Sequence, residues 1–197
     1  VEVIHPGITD RLSDATLTRF DLGELLGFDV KDKVILLTHG RLVARKGHAW
    51  FIQNVLPTLP ASVQYVISGD GPERNTLENL VKKLGLQERV IFLGKVSEKD
   101  LAVLYNTIDI YVQPNIKVAG DTEGFGLVVL EAALCQRIVL AADLEGLNSR
   151  FGMSWDEAQI TAQKIDESSN LDLTMFHAMV GAAETIAEDS FSEYLSF

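Results

Sequence analysis

The sequence predicts a doubly wound α/β domain, a parallel sheet with helices on both faces. Five short, near-continuously apolar runs have the composition of strands buried on both sides: Val34 to His39, Val63 to Ser68, Val90 to Leu93, Ile108 to Gln113 and Ile138 to Ala142. Stretches of helical pattern separate them, the alternation that a parallel sheet with crossover helices requires. Polar and glycine-rich segments follow the runs, so loops able to carry chemistry fall on one edge of such a sheet.

Taken in order, a helix is expected around Leu17 to Leu26, ahead of the first strand. A second helical stretch lies near 47–58. A third, near 73–84, begins at Pro72-Glu73 and stops at Gly85 after Lys82-Lys83-Leu84. The fourth, near 98–106, opens on Ser97-Glu98-Lys99-Asp100, an N-cap with acid in the first turn. The fifth covers 126–135. Beyond about residue 145 the strand signal ends, and extra C-terminal helices are expected near 155–165 and 171–188. Residues 1–197 read as one domain without internal repeats. The start lacks Met and enters a strand-like segment at once, so a piece of a longer protein is expected.

Composition narrows the function classes. A hydrophobic content of 47% with 23% charged residues is that of a globular protein with a sizeable core. No apolar run approaches the roughly 20 residues of a membrane-spanning helix. A net charge of −11 with no basic stripe argues against nucleic acid as a partner. An anionic ligand would have to be captured by a few local cations and backbone amides, against the long-range field. The single Cys135 lies in an apolar run, which suits a buried structural thiol in a reducing, cytoplasmic compartment.

The first strand runs into His39-Gly40-Arg41-Leu42-Val43-Ala44-Arg45-Lys46-Gly47. Arg41 offers a fork of donors and Lys46 a point charge, with Gly40 and Gly47 where backbone could approach closely. This suits a diphosphate clamp, and equally a solvated pair of surface cations. The second strand runs into Ser68-Gly69-Asp70-Gly71-Pro72, a tight turn in which Asp70 reads as a turn or cap residue. The third leads to Gly94-Lys95-Val96 and the fourth to Gln113-Pro114-Asn115.

The run Glu123-Gly124-Phe125-Gly126-Leu127-Val128-Val129-Leu130-Glu131 places two carboxylates eight positions apart. Glu131 is the one polar side chain in 127–135, so it either points out at an edge or meets a partner that offsets its desolvation. Gly124 and Gly126 could leave amides free at a helix start to face an anion, or could merely join loop to helix. His5, His39, His48 and His177 have no metal-ligand spacing with one another or with Cys135, so no metal site is predicted. His39 ends a strand and could line the site. Trp50, Phe51 and Trp155 read as core residues, and Asp109 as the acceptor of a structural hydrogen bond.

In order and spacing these segments resemble the C-terminal, donor-binding domain of a GT-B glycosyltransferase of the group 1 (family 4) type. The matching pieces are Ile4-His5-Pro6-Gly7-Ile8, Gly40-Arg41-Leu42 with Lys46-Gly47, Gly69-Asp70-Gly71-Pro72-Glu73 and Val90-Ile91-Phe92-Leu93-Gly94, followed by Asp109 to Pro114 and the Glu123/Glu131 pair. They cover roughly residues 1 to 142. The resemblance implies the Rossmann-like half of a GT-B fold, and a retaining, metal-independent transfer of sugar from a nucleotide-diphosphate sugar, with no cofactor. Arg41 and Lys46 would grip the diphosphate, and Glu123 would sit by the donor sugar. The amides of Gly124, Phe125, Gly126 and Leu127 would lie near sugar hydroxyls and phosphate. Glu131 would hold the ribose, Gly40, Gly69 and Gly71 would border the donor, and Lys95 and Val96 would meet the base. The acceptor, a glycan or lipid, would bind a missing N-terminal domain, so this piece alone is expected to transfer nothing. A cytoplasmic location follows, compatible with peripheral membrane attachment of the full-length protein. The segment Gly120-Asp121-Thr122-Glu123 resembles that of mannosyl-transferring relatives. One departure is Cys135-Gln136-Arg137, where the family usually carries a turn containing Gly and Pro. Two rival readings share the same residues: half of a GT-B nucleotide-sugar epimerase, and a degenerate domain kept for interaction. A dinucleotide-binding domain is disfavoured, because no Gly-x-Gly-x-x-Gly follows the first strand.

Overall fold

The computed structural model describes residues 11–116, 118–119 and 127–141. Its elements are α1 (Arg19–Leu26), β1 (Val34–His39), α2 (His48–Asn54), β2 (Val63–Ser68), α3 (Arg74–Leu84), β3 (Val90–Gly94), α4 (Glu98–Thr107), β4 (Ile110–Gln113), α5 (Leu127–Leu134) and β5 (Ile138–Ala141). Short 3-10 turns at Ala44–Lys46 and Leu56–Thr58 flank α2. The five strands form one sheet in the order β3-β2-β1-β4-β5, and every adjacent pair is parallel. The order of strand addition therefore reverses between β1 and β4, which opens a crevice at their carboxyl ends.

Alternation along each strand builds two cores. Leu36, Tyr65, Ile67 and Val112 face α2 and α3, packing with Phe51, Ile52, Leu77 and Val81. Ile35, Leu37, Val66 and Tyr111 face the other way, against Leu22, Leu101, Leu104, Val129 and Ala132 from α1, α4 and α5. Burial on both faces is why these runs are apolar throughout instead of alternating. The predicted doubly wound sheet is the one observed. The helices expected near 155–165 and 171–188 lie outside the described residues.

Two predicted boundaries need correction. The fourth strand begins at Ile110, not Ile108. Ile108 caps the C-terminus of α4 in an extended conformation, and Asp109 uses its side chain to bind backbone across the sheet. The stretch 47–58 is broken: α2 ends at Asn54, and Leu56-Pro57-Thr58 forms a separate 3-10 turn. Pro57 has no N–H to continue the α-helical ladder.

The expected caps are present. The Ser97 hydroxyl accepts from Asp100 N at 3.1 Å and donates to the Asp100 carboxylate at 2.7 Å. Gly85 ends α3 in the left-handed region. Asp109 accepts from Arg19 at 2.8 Å and from Ile35 N at 2.7 Å, while the same guanidinium donates to the Val30 and Lys33 carbonyls. This half-buried knot ties the entry of β1 to the entry of β4, as predicted for a structural carboxylate. Asp109→Ala removes the acceptor for a charged donor and for a backbone amide together. A loss of about 2 kcal/mol in urea unfolding is expected; a shift under roughly 0.5 kcal/mol would show that water replaces the knot.

Candidate functional site

The loops leaving β1, β2, β3 and β4 are laced together at the carboxyl edge. Gly40 N donates to Ser68 O at 3.0 Å, Leu42 N to Asp70 O at 3.0 Å, Gly69 N to Gly94 O at 2.6 Å and Ile116 N to Arg45 O at 2.9 Å. Asp70 accepts from Gly71 N at 2.8 Å, which makes it the turn residue anticipated. Close approach needs glycine at two places above all. A Cβ on Gly69 (φ 120°) would lie 1.9 Å from Gly40 O, and one on Gly47 (φ 66°) would lie 1.7 Å from Pro114 O. Side chains there would push the loops after β1, β2 and β4 apart. Gly71 is similarly pressed on the Leu42 backbone. These glycines hold the edge together, whatever they also border.

Lys46 sits at the centre of that edge. It closes the 3-10 turn Ala44–Lys46, and only 6% of its surface is exposed. A Cβ on Gly40 would stand 3.8 Å from its Cε and 4.0 Å from its Nζ, so the side chain lies across the end of β1. Arg41, in the same loop, is exposed; its carbonyl accepts from Val43 N at 3.0 Å, but its guanidinium has no hydrogen bond or ion pair among the described residues. The two predicted cations thus differ: one is set into the fold, the other stands in solvent beside it.

Two histidines flank Lys46. His39 Nδ1 lies 2.8 Å from Ser68 Oγ, and burial, then the charge of Lys46, lowers its pKa. His48, the first residue of α2, is pushed down to about 4 by the same two causes. A chain of hydroxyls sets its tautomer. Thr38 Oγ1 donates to Val112 O at 2.5 Å, so Tyr65 OH, 2.8 Å away, must give its proton to Thr38. His48 Nδ1, 3.2 Å from Tyr65 OH, is then the N–H donor. This leaves His48 Nε2 an acceptor, buried and with no hydrogen-bond partner among the described residues; the Gln113 amide is in the same condition. Burial also drives the Tyr65 phenol upward, keeping it neutral.

Glu131 is 14% exposed at its side chain. It accepts from Tyr105 OH at 3.3 Å and pairs with Arg11 at 3.5 Å; Arg11 also reaches Glu98 at 3.1 Å. Tyr105 stacks on Tyr111 at 5.7 Å and meets His39 edge-on at 6.2 Å, so Glu131 connects through aromatic rings to the end of β1. Burial, then Tyr111 and Glu131, raise the Tyr105 pKa. The helix is less enclosed than its composition suggests. Leu127 and Leu134, four before and three after Glu131, are exposed, whereas Val129, Ala132 and Cys135 pack inward. Lys95 is exposed just after β3, and Val96 beside it is half-buried. Glu123, Gly124, Phe125 and Gly126 lie outside the described residues, as do His5, His177 and Trp155. Among the described residues no group of three or more His, Cys, Asp or Glu could hold a metal ion, and no helix is long and apolar enough to cross a membrane.

A buried lysine with two histidines beside it thus lies at the switch point of the parallel sheet, the place where open α/β sheets bind ligands. Comparison with known proteins places the chain. The family model for glycosyl transferases group 1 matches residues 27–157. The chain belongs to that family. Among its relatives, the α-D-kanosaminyltransferase of Streptomyces kanamyceticus is 33% identical over 138 residues, 69% of this chain and 34% of that protein. The GDP-mannose-dependent α-(1-6)-phosphatidylinositol monomannoside mannosyltransferase of Mycolicibacterium smegmatis is 33% identical over 147 residues, 72% of this chain and 38% of that protein. The crystal structure of HepE from Anabaena in complex with UDP superposes with a TM-score of 0.65 at 23% identity, covering 99% of this chain and 57% of that one. The chain thus spans somewhat over a third of the length of these two curated relatives. Its parallel sheet is a Rossmann-like α/β fold, of the kind that makes up each half of a GT-B glycosyltransferase.

As a group 1 glycosyl transferase domain, the chain shows how its unusual turn after α5 closes without glycine. Gln136 adopts φ 58°, while Gln136 N and Arg137 N donate to the Ala133 and Ala132 carbonyls. Arg137 then binds the Cys135 carbonyl at 2.9 Å and the Ile108 carbonyl at 3.0 Å. Cys135 is buried, as anticipated. Sequence reasoning gives His48, Gln113 and Arg74 no role at the site. For His48 a signal existed: Thr38 and Tyr65 are the polar tips on an otherwise apolar strand face, the one that α2 covers.

Proposed function

We propose that this domain is the donor-binding half of a retaining, metal-independent glycosyltransferase that takes its sugar from a nucleotide-diphosphate sugar. The observation that carries the reading is Lys46, a cation sunk to 6% exposure at the carboxyl ends of β1 and β4. A charge desolvated to that degree serves an anion better than solvent does. Lys46 would neutralise the diphosphate and the charge that develops on it as the glycosidic bond breaks, with Arg41 swinging in from solvent as the second cation. His39 and His48, held neutral, leave the positive charge on Lys46. Glu131 would accept the ribose hydroxyls, exchanging its contact with Arg11 for the ligand, and Glu123 with the amides of 124–127 would attend the sugar. Relatives are named for UDP and for GDP-mannose, so a nucleoside diphosphate is the shared chemistry. The acceptor side would come from chain beyond these 197 residues, and this domain alone binds donor without transferring it.

Calorimetric titration with UDP and GDP, each beside its free nucleoside, tests the reading. Lys46→Met should weaken diphosphate binding about ten- to a hundredfold, the worth of one charge-assisted hydrogen bond, and leave nucleoside binding unchanged. Arg41→Ala should act the same way but less. Unchanged affinities in Lys46→Met, Arg41→Ala and Glu131→Ala would overturn the assignment.

A further inference from the structure

Arg74 is the first residue of α3 and has no part in the clamp just described. Its guanidinium lies over the Phe92 ring, 5.3 Å from the centroid, and its Nε donates to Glu78 at 2.6 Å. These two contacts fix the plane of the group and consume one of its three nitrogens. The two terminal nitrogens make no hydrogen bond with any described residue. They stand at the carboxyl edge of β3: a Cβ on Gly94 would lie 3.4 Å from Nη1. Gly94 itself, at φ 69°, turns the chain into Lys95 and Val96, and its carbonyl is tied to Gly69 N. Arg74 therefore presents a rigid two-pronged donor, partly open to solvent, beside the turn at Gly94 that leads into Lys95 and Val96.

The geometry points to Arg74 as a specificity residue that selects guanine as the donor base. This rests on the donor-binding reading above and on the base lying by Lys95 and Val96. Two parallel N–H groups match the O6 and N7 acceptors on one edge of guanine. Uracil offers a single carbonyl on the corresponding edge. Adenine sets an amino donor beside N7, so one prong would face a donor. Phe92 and Glu78 hold the fork in place before ligand arrives, which removes the ordering cost of a long side chain. Gly94 turns the chain at φ 69°, a conformation that favours glycine, and a Cβ there would only touch Nη1 at ordinary contact distance.

Calorimetry with GDP, UDP and ADP on the wild-type chain and on Arg74→Ala and Arg74→Lys tests this. Wild type should bind GDP at least tenfold more tightly than ADP, a difference of about 1.4 kcal/mol, with UDP between them. Both variants should lose that preference by weakening GDP alone. Arg74→Lys keeps the charge and loses the fork, so it separates shape from electrostatics. The GDP-to-ADP ratio is the deciding quantity, since a purely structural role for Arg74 would weaken all three nucleotides together. An equal loss for all three, no loss, or a wild-type preference for ADP would overturn the assignment while leaving nucleotide binding intact. Binding of none of them would overturn the donor-binding reading and this inference with it.

Discussion

Gly47→Ala is expected to destabilise the domain by about 3 kcal/mol or more and to spoil the site as it does so. Gly47 joins the 3-10 turn that carries Lys46 to the start of α2, at φ 66°. An alanine there meets two costs. The left-handed conformation costs roughly 1–2 kcal/mol for a residue with a Cβ. The added atom would also fall 1.7 Å from the Pro114 carbonyl oxygen and 2.8 Å from its carbon, which are backbone and cannot rotate aside. Relief requires the loop after β4 to move away from Lys46, at a further ~1–3 kcal/mol of strain. Gly85→Ala is the control, since Gly85 has φ 69° and nothing within 4 Å of its Cβ position. The difference between the two variants in urea unfolding isolates the clash from the backbone term. Equal losses would mean that the β1 and β4 loops are not held in register by this contact.

That contact also shows where a sequence stops being readable. The boundaries of β1 and β2 coincide with the apolar runs that announced them, because strands covered on both faces have no other composition open to them. The caps at Ser97 and Gly85 were equally legible, as both depend on residues within four positions. Ile108 and Asp109 misled for a physical reason: they look like strand residues, but one ends α4 and the other spends its carboxylate on Arg19 and Ile35. Glycines after β1 and β2 could be recognised as turn residues. That Gly47 faces Pro114 and Gly69 faces Gly40 could not, because those partners lie 67 and 29 positions away.

The site divides along the same line. Lys46 and Arg41 were conspicuous as cations after a strand, yet nothing local says that one is buried and the other exposed. Glu131 was conspicuous as a charge in an apolar run, and the expected partner exists in Tyr105 and Arg11. Its helix face is nevertheless open at Leu127 and Leu134, which the composition of the run does not reveal. Arg74 drew no notice because its meaning depends on Phe92 and Gly94, one crossover further along the chain.

Stability is expected to fall by about 2 kcal/mol between pH 7 and pH 5, with His48 the main cause. Its imidazole titrates near 4 in the folded chain against 6.5 when unfolded. Between those values the unfolded chain binds a proton that the folded chain refuses, so acid favours unfolding. The stabilisation is complete above pH 6.5 and lost as pH falls toward 4. The full span of about 2.5 units is worth on the order of 3 kcal/mol. The cause is structural. Nδ1 already donates to Tyr65, so an incoming proton must settle on Nε2, which is buried without a hydrogen-bond acceptor among the described residues and lies within the field of Lys46. His39, lowered by burial and by the same lysine, adds a slope of the same sign over pH values below 6.5. His48→Phe keeps the ring volume and packing, and Tyr65 OH can still donate to Thr38. Its unfolding free energy, measured between pH 7 and pH 5 where most carboxylates remain ionised, should vary about half as much as that of the wild type or less. Parallel curves for the two proteins would mean that His48 gains a proton in the folded state without penalty, and that the hydroxyl chain through Tyr65 and Thr38 does not fix its tautomer.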